Sequence, residues 1–365
     1  MMTDLKNEVA KILKEFEATW SYDTRDLLRP SVEHVLQNLI AQRSEAQQLR
    51  LQEEFFGVGP LEDLLLDPEV CEIIVNGEDE ILVEKNGSFQ RVEDCFLSTV
   101  TFKRFIDRIA SEANLNVDLS KPFADGRWRE FRAHLTCQPL CHCSFHLSLR
   151  RSRSNSWSLH QLAEKSWAED PEIRILRDLI QKRRNLLVIG PTGSGKTSVL
   201  GACLRELSQI ERVILIEDTD ELPRPNAAST KLLTRPQSAQ LCEVTLSDLV
   251  RQSLRMRPER LIVGEVRGSE AKDLLLALST GHRGSLGTLH ASDPREALLR
   301  LEMLVQLGAP QWQLAAIRQL IRLSVDSLIV CGIRDGHRCL EGIYQVAALE
   351  SVGFLLDTIY ARTSI

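Results

Sequence analysis

One eight-residue segment restricts the possible fold more than any other part of the sequence. It reads Gly-Pro-Thr-Gly-Ser-Gly-Lys-Thr over residues 190–197, between a predicted strand at residues 185–189 and a predicted helix at residues 196–207. Glycines at these positions allow successive backbone N–H groups to turn inward and surround phosphate oxygens. The pattern between a strand and a helix therefore predicts a phosphate-binding loop. A glycine-rich turn that binds nothing is the alternative.

The side chains of this segment match the chemistry of a nucleoside triphosphate with its metal ion. Lys196 supplies a positive charge for the β- and γ-phosphates, and Thr197 supplies a hydroxyl group for Mg²⁺. The amino end of the following helix adds a partial positive charge. We therefore expect ATP and Mg²⁺ as ligands. The residues expected to bind the nucleotide here are Gly190, Pro191, Thr192, Gly193, Ser194, Gly195, Lys196, Thr197 and Ser198.

Strands and helices alternate from about residue 157 onwards. Such alternation predicts an α/β domain with a mostly parallel sheet that is covered by helices on both faces. The helix that starts after Asp293 has that residue at its N-cap, a proline next and Glu296 at the third position. The predicted strands are 185–189, 213–216, 261–263 and 285–289, and the predicted helices are 196–207, 246–256, 269–278 and the one after residue 293.

The first 150 residues have a different pattern. Apolar residues recur at helical spacing within residues 1–50, which predicts a small helical bundle or a docking helix. Residues 51–150 predict a small α+β domain with a helix at 101–113 and strands at 71–75, 81–84, 89–92, 131–135 and 145–149. Asn86-Gly87 predicts a hairpin turn, because both residues tolerate positive φ. Residues 151–157 are polar and arginine-rich, which favours a linker, with a nucleic-acid-binding patch as the alternative.

Composition excludes several classes of protein. The formal net charge of the 365 residues is −6, which argues against a protein that mainly wraps nucleic acid. The N-terminus has no apolar segment typical of a secretory signal, and no apolar run is long enough to span a bilayer. The nine cysteines are an odd number and are scattered, which fits reduced thiols in the cytosol.

Acidic residues follow two of the predicted strands. Glu265 comes at the end of the strand at 261–263, where it could polarise an attacking water. Many phosphate-loop proteins have a metal-linked Asp just before this position, but here it is Gly264. Glu217 and Asp218, after the strand at 213–216, are therefore the candidate outer-sphere Mg²⁺ or water ligands. A helix N-cap or a solvated loop acid is the alternative for any one of them.

Two histidines flank another predicted strand. His282 and His290 are eight residues apart around the strand at 285–289. One of them could sense the γ-phosphate or pair with Glu265, so we count both as catalytic candidates. A hydrogen-bonded loop histidine is the alternative for each.

Two further groups of residues leave their roles open. Arg251 and Arg255 are one helical turn apart, with Arg257 close behind, and they predict either a solvated helix face or charge stabilisation of a phosphate across a subunit boundary. A dense group at residues 137–146 contains three cysteines and two histidines, but it lacks a C-x-x-C pair. Core and turn cysteines are therefore favoured there over a zinc site.

Taken together, these segments resemble the type II and type IV secretion ATPases, most closely the CpaF-like branch that powers Tad-type pilus assembly. The resemblance extends over about residues 55–350. The matching segments, in order, are residues 59–64, 72–77, 190–197, 216–222, 248–258, 261–268, 281–291 and 293–302.

The resemblance implies a RecA-like P-loop ATPase domain at residues 158–365, preceded by a small α+β, PAS-like domain at 51–150 and a helical segment at 1–50. It implies a homohexameric ring on the cytoplasmic side of the inner membrane, with a polytopic membrane platform protein as partner. Glu217 and Asp218 resemble the family's Asp box, Glu265 its Walker B glutamate, and His282 and His290 its His box. Arg132 and Arg150 are similar in position to the small-domain arginines that contact the γ-phosphate in that family.

The resulting expectation is an ATP-hydrolysing motor for pilus assembly or protein secretion, without direct binding to nucleic acid. Two alternatives remain. A RecA-like helicase or DNA translocase shares the phosphate loop, but it should have a basic channel, and the net charge of −6 opposes it. A nucleotide-gated scaffold would bind ATP without a hydrolytic cycle, and the presence of Glu265 opposes it.

Overall fold

The computed structural model describes residues 2–17, 30–85, 88–151, 157–235, 237, 242–350 and 353–362. They form two compact units, Met1–Arg153 and Ser154–Ile365. The predicted turn residues Asn86 and Gly87 and most of the predicted linker, residues 152–156, lie outside the described residues. None of the helices in the described ranges is both long and apolar enough to cross a membrane.

The first unit begins with three helices, which confirms the helical prediction for the N-terminus. They are α1 (Met2–Glu17), α2 (Pro30–Ala41) and α3 (Glu45–Phe55). Their apolar faces pack against one another, because leucine, valine and isoleucine recur at helical spacing in each. The buried residues of this cluster are Leu5, Val9, Ile12, Leu13, Leu36, Ile40, Leu51, Phe55 and Leu97.

A six-stranded antiparallel sheet makes up the rest of the first unit. The strands are β1 (Val70–Asn76), β2 (Ile81–Lys85), β3 (Ser88–Arg91), β4 (Phe123–Trp128), β5 (Phe131–Cys137) and β6 (Phe145–Arg151), in the order β3-β2-β1-β6-β5-β4. Alternate residues point into a core that is completed by α4 (Glu62–Leu66) and α5 (Thr99–Glu112). The opposite sheet face carries polar residues. Strand β4 was not predicted, because Asp125, Gly126 and Arg127 in its middle have low strand propensity.

The second unit is built on an eight-stranded sheet. Its strands are β7 (Leu186–Gly190), β8 (Val213–Glu217), β9 (Thr230–Leu233), β10 (Arg260–Val266), β11 (Leu286–His290), β12 (Ser327–Arg334), β13 (His337–Glu350) and β14 (Gly353–Ala361), in the order β14-β13-β12-β7-β11-β10-β8-β9. The six strands from β12 to β9 are parallel, and β13 and β14 are antiparallel additions at one edge.

Helices cover both faces of this sheet, as the alternating pattern predicts. One face packs against α9 (Leu246–Ser253), α10 (Glu270–Ser279), α11 (Pro294–Gly308) and α12 (Leu314–Ser324), and the other against α6 (Leu159–Glu164), α7 (Asp170–Gln181) and α8 (Lys196–Leu204). Strands β7 and β8 are buried along their whole length, which explains their continuous apolar sequences. The predicted RecA-like α/β class, with a preceding α+β sheet, is therefore confirmed.

Candidate nucleotide-binding site

The phosphate loop connects the central strand β7 to helix α8. Gly195 is the N-cap of α8 and has φ of 88°, a left-handed conformation that a residue with a Cβ adopts only with strain. The Ser194 side chain is buried, and its Oγ donates to the Pro191 carbonyl over 2.8 Å. The loop is thus held by its own hydrogen bonds at the amino end of α8, where backbone N–H groups attract anions.

Lys196 lies at the base of this loop. Its Nζ donates to the carbonyl oxygens of Gly190 and Pro191, at 3.0 Å each. Burial lowers the pKa of this ammonium group, and the nearby carboxylate of Glu265 opposes part of that change. The ammonium group of Lys196 therefore lies among carbonyl oxygens of the loop and is also attracted by the carboxylate of Glu265 on β10.

Parallel pairing brings His290 to the same place. Strand β11 pairs with β7 in a register that sets His290 opposite Gly190. The His290 Nε2 atom lies 2.7 Å from the Thr192 Oγ1 atom on the phosphate loop. The carboxyl end of β11 therefore adds an imidazole to the edge of the loop.

Glu217 ends the neighbouring strand β8, and its side chain is buried. Its Oε1 accepts hydrogen bonds from the backbone N–H groups of Glu221 (3.1 Å) and Leu222 (2.9 Å). Its Oε2 has no hydrogen-bond partner within the described residues and lies 3.6 Å from Lys231 Nζ. Burial raises the pKa of the Glu217 carboxyl, while the two N–H groups and Lys231 act in the opposite direction. A buried carboxylate oxygen is thus free to accept a further ligand.

Asp218 and Glu265 are linked through an arginine. The Arg267 guanidinium donates to the Asp218 carboxylate, and its Nε lies 3.7 Å from Glu265 Oε2. These three side chains come from the ends of β8 and β10, which pair in parallel. The acids predicted from the two strands therefore lie together at the carboxyl ends of those strands, as expected for parallel pairing.

His282 does not join this group within the chain. It precedes β11, so it lies at the amino end of that strand, whereas His290 ends it. Its Nδ1 atom is 3.0 Å from the Ala277 carbonyl oxygen. The nearby Gly284 and Ser285 N–H groups donate to Asn185, the residue before β7. Both histidines were candidates for the catalytic site, but they lie at opposite ends of the strand between them, and only His290 is at the end that carries the loop.

The two small-domain arginines lie in the first unit. Arg132 on β5 and Arg150 on β6 are directly paired across the antiparallel ladder, and both side chains are exposed on the polar sheet face. Arg127 on β4 is the register partner of Arg132. Three arginines therefore lie in one row across three adjacent strands, and Glu72 on β1, the register partner of Arg150, continues the row.

Arg251 and the cysteine-rich group have local partners. The Arg251 guanidinium donates to both carboxylate oxygens of Asp273, at 3.1 and 3.2 Å. In the cysteine-rich hairpin, the Cys141 and Cys143 thiols donate to the carbonyls of Cys143 (3.2 Å) and Phe145 (3.1 Å). No group of three or more His, Cys, Asp or Glu side chains in the described part of the chain could hold a metal ion.

Three residues near the loop were not singled out from the sequence. Arg267 comes two residues after Glu265, so its closeness to a candidate acid was the available indication. Lys231 on β9 donates to Asp220 and lies beside Glu217. Arg338 on β13 donates through Nε to the Gly193 carbonyl over 2.8 Å. Lys231 reaches Glu217 through the pairing of β9 with β8, and Arg338 reaches the loop because its hairpin lies beside β7; neither has a local sequence pattern.

Comparison with known proteins identifies the family of the chain. A family model described as "Type II/IV secretion system protein" matches residues 54–328. A putative conjugal transfer protein of Mycobacterium tuberculosis (strain H37Rv) is 36% identical over 302 residues, which cover 80% of this chain and 85% of that protein. The type IV secretion system protein VirB11 of Brucella suis is 27% identical over 318 residues, which cover 77% and 86%.

A solved structure supports the fold. The crystal structure of the pilus retraction motor PilT with bound ADP matches with a TM-score of 0.58 and 19% sequence identity, over 80% of this chain and 82% of that one. At this identity the likeness concerns the fold alone. The family match covers most of the chain and includes every residue of the cluster around the phosphate loop except Arg338. The chain therefore belongs to the family of type II/IV secretion system proteins, and it is a secretion ATPase of that superfamily.

Proposed function

We propose that the chain hydrolyses ATP at the phosphate loop and uses the reaction to drive a secretion or pilus-assembly machine. The observation that carries this proposal is the convergence of Glu217, Glu265 and His290 on the edge of the sheet that holds the loop. A loop alone would bind a phosphate. Acids and an imidazole from three neighbouring strands supply, in addition, the groups that phosphoryl transfer to water requires.

Each side chain has a proposed role. The loop residues 190–198 hold the phosphates, and Lys196 neutralises charge that builds up on them. Glu265 orients and polarises the attacking water as general base. His290, already at hydrogen-bond distance from the loop, senses the γ-phosphate. Arg267 holds Asp218 and lies near Glu265, so it positions both acids.

Mg²⁺ fits the donors at this edge. Magnesium in nucleotide sites takes one or two protein oxygens and completes its shell with phosphates and water, so a cage of several carboxylates is not required. The buried Oε2 of Glu217 lacks a hydrogen-bond partner within the described residues, which suits a role as acceptor for metal-bound water. Thr197 would bind the ion directly, and Glu217 and Asp218 would hold water molecules of its shell. When bound, it neutralises phosphate charge.

The remaining parts of the proposal concern assembly. We propose a homohexamer at the cytoplasmic side of the inner membrane, in which Arg132 and Arg150 reach the γ-phosphate of a nucleotide. The direct pairing of Arg132 and Arg150 across β5 and β6 supports this, because it brings two exposed guanidinium groups together on one sheet face. We propose a division into a helical segment (1–50), a small domain (51–150), a linker (151–157) and an ATPase domain (158–365). A linker between the last two domains would let the arginines of the small domain move to the nucleotide.

The cargo is proposed from relatedness. Similar proteins are named for conjugal transfer and for type IV secretion. We propose a membrane-embedded platform protein of a pilus or secretion system as the partner, with the CpaF-like branch as the subtype.

ATP turnover by the purified chain and its Lys196→Ala variant tests the proposal. We expect the variant to lose at least about 100-fold in kcat/KM, since it removes a charge at the transferring phosphate. Lys182→Ala is the matched control, because Lys182 is an exposed lysine of the same unit that pairs with Asp178 on helix α7. Undiminished turnover in Lys196→Ala would contradict the proposed site.

A further inference from the structure

The hairpin between β12 and β13 extends past the phosphate loop. Strand β12 pairs in parallel with β7, and the last paired residues are Val330 and Ile189. The strand then continues to Arg334, four positions farther, and turns at Asp335-Gly336 into β13. Because β7 ends at the loop, this continuation places the hairpin tip beyond the sheet edge that carries the phosphate site.

Arg338, on the returning strand of this hairpin, touches the loop directly. Its Nε donates to the Gly193 carbonyl over 2.8 Å. Its Cδ atom lies 3.3 Å from the position that a Cβ would take on Gly195, so the aliphatic stem packs against the loop. The residue is nevertheless exposed, and its guanidinium group makes no other hydrogen bond within the described residues. An anchored guanidinium with unused donors therefore borders the loop.

An apolar side chain lies beside it. Ile333 on β12 is the direct register partner of Arg338 on β13, so both side chains project from the same hairpin face. Ile333 is 47% exposed, although large aliphatic residues are usually buried. A flat aromatic base can pack on a planar guanidinium group that lies beside an aliphatic side chain.

The strand order fixes which end of a nucleotide meets this face. The catalytic candidates come from β11, β10 and β8, which all lie on one side of β7. The γ-phosphate must point to that side for Glu265 and His290 to act on it. Strand β12 lies on the other side of β7, so the nucleoside end of the same molecule must leave toward the β12–β13 hairpin.

We propose that Arg338 and Ile333 form the nucleoside-binding wall of the site. The guanidinium of Arg338 packs on the purine ring, and Ile333 covers the adjoining apolar surface. This inference rests on the proposed function, because it assumes that the triphosphate occupies the loop. It assigns to the C-terminal hairpin a role in the affinity for the base and ribose, separate from the hydrolytic groups.

Binding of ATP and of inorganic tripolyphosphate, measured by titration calorimetry, separates the two halves of the ligand. Arg338→Ala should weaken ATP binding about tenfold, the size of a cation–π contact, and leave tripolyphosphate binding within about twofold. Arg334→Ala is the matched control, because this hairpin arginine pairs with Glu341 (Nε–Oε1 2.7 Å) and alternates to the other face. It should bind both ligands like the unaltered protein.

The other outcomes overturn the inference in distinguishable ways. Unchanged ATP affinity in Arg338→Ala would exclude the contact, and an equal loss for both ligands would show that Arg338 acts through the loop. Arg338→Lys keeps the charge but loses the planar group, so it should bind ATP nearly as weakly as Arg338→Ala. Full affinity in that variant would indicate simple charge attraction instead. If the unaltered protein bound neither ligand, the proposed function itself would fall, and this inference with it.

Discussion

The Cγ atom of Glu217 lies 3.0 Å from the position that a Cβ would take on Gly264. Glu217 ends β8 and Gly264 lies on the adjacent β10, and their strands pair in parallel. Many phosphate-loop proteins have an acid where this chain has Gly264. Here the acid comes from the neighbouring strand and fills the space that a side chain at 264 would need. The position of the Glu217 side chain therefore depends on a glycine at residue 264.

Replacing Gly264 by Asp should lower activity, although it introduces the acid that is common at this position. The new side chain must displace buried Glu217, and overpacking of this kind costs about 1–3 kcal/mol of stability. Chemical unfolding and ATP turnover check both effects. Turnover equal to or above that of the unaltered protein would show that Glu217 is not the acid required.

Arg251 should contribute to stability and not to hydrolysis. Its guanidinium group donates two hydrogen bonds to Asp273, which is almost fully buried. Removal of the Arg251 side chain therefore leaves the Asp273 carboxylate poorly paired. Arg251→Ala should reduce the free energy of unfolding by about 1 kcal/mol and change kcat less than twofold. Arg255→Ala, one helical turn later, is the control. If stability were unchanged and turnover fell by two orders of magnitude, the result would instead support a catalytic arginine that acts across a subunit boundary.

His146 should make the first unit sensitive to acid. Burial, with His134 and His142 nearby, lowers the pKa of this imidazole below its usual 6.5, and its Nδ1 lies 2.8 Å from Asn76 Oδ1. A depressed pKa means that the unfolded chain takes up the proton first. The stability that neutral His146 contributes is therefore present above pH 6.5 and is lost as pH falls through the folded-state pKa.

Thermal unfolding between about pH 8 and pH 5 measures this effect. The midpoint of the unaltered protein should fall more steeply than that of His146→Gln, which has no group to protonate. Parallel curves for His146→Gln and the unaltered protein would argue against the lowered pKa.

Much of the second unit could be predicted because its signals are local. Strands β7, β8, β10 and β11 are apolar runs, and a helix start after Asp293 is visible in the sequence; the Asp293 side chain indeed accepts from the N–H groups of Arg295 and Glu296. Predicted ends were off by a few residues, as for α8, which ends at Leu204 and not at 207. Helices α6, α7 and α12 and strands β9, β12, β13 and β14 were not predicted, although the buried residues of α7 (Ile173, Leu176, Leu179 and Ile180) follow helical spacing.

The site was less accessible to sequence reasoning. Parallel topology gathers residues that follow strands, so Glu217 and His290 could be placed together from the residue pattern alone. The same rule places a residue that precedes a strand at the opposite end of that strand. The five residues of β11, at about 3.3 Å per residue, separate His282 from the loop by roughly 17 Å. Arg338 required the register of a hairpin formed by the last third of the chain, which no local pattern specifies.

A single-turnover assay of Glu265→Gln tests most directly whether the chain is a hydrolytic motor and not a nucleotide-gated scaffold. The substitution keeps the size and hydrogen-bonding capacity of the side chain but removes its basicity. ATP should bind with affinity within about threefold of the unaltered protein, while the rate of cleavage should fall by about 100-fold or more. Cleavage at the unaltered rate, or bound and uncleaved ATP in the unaltered protein itself, would contradict the assignment of Glu265 and the motor function built on it.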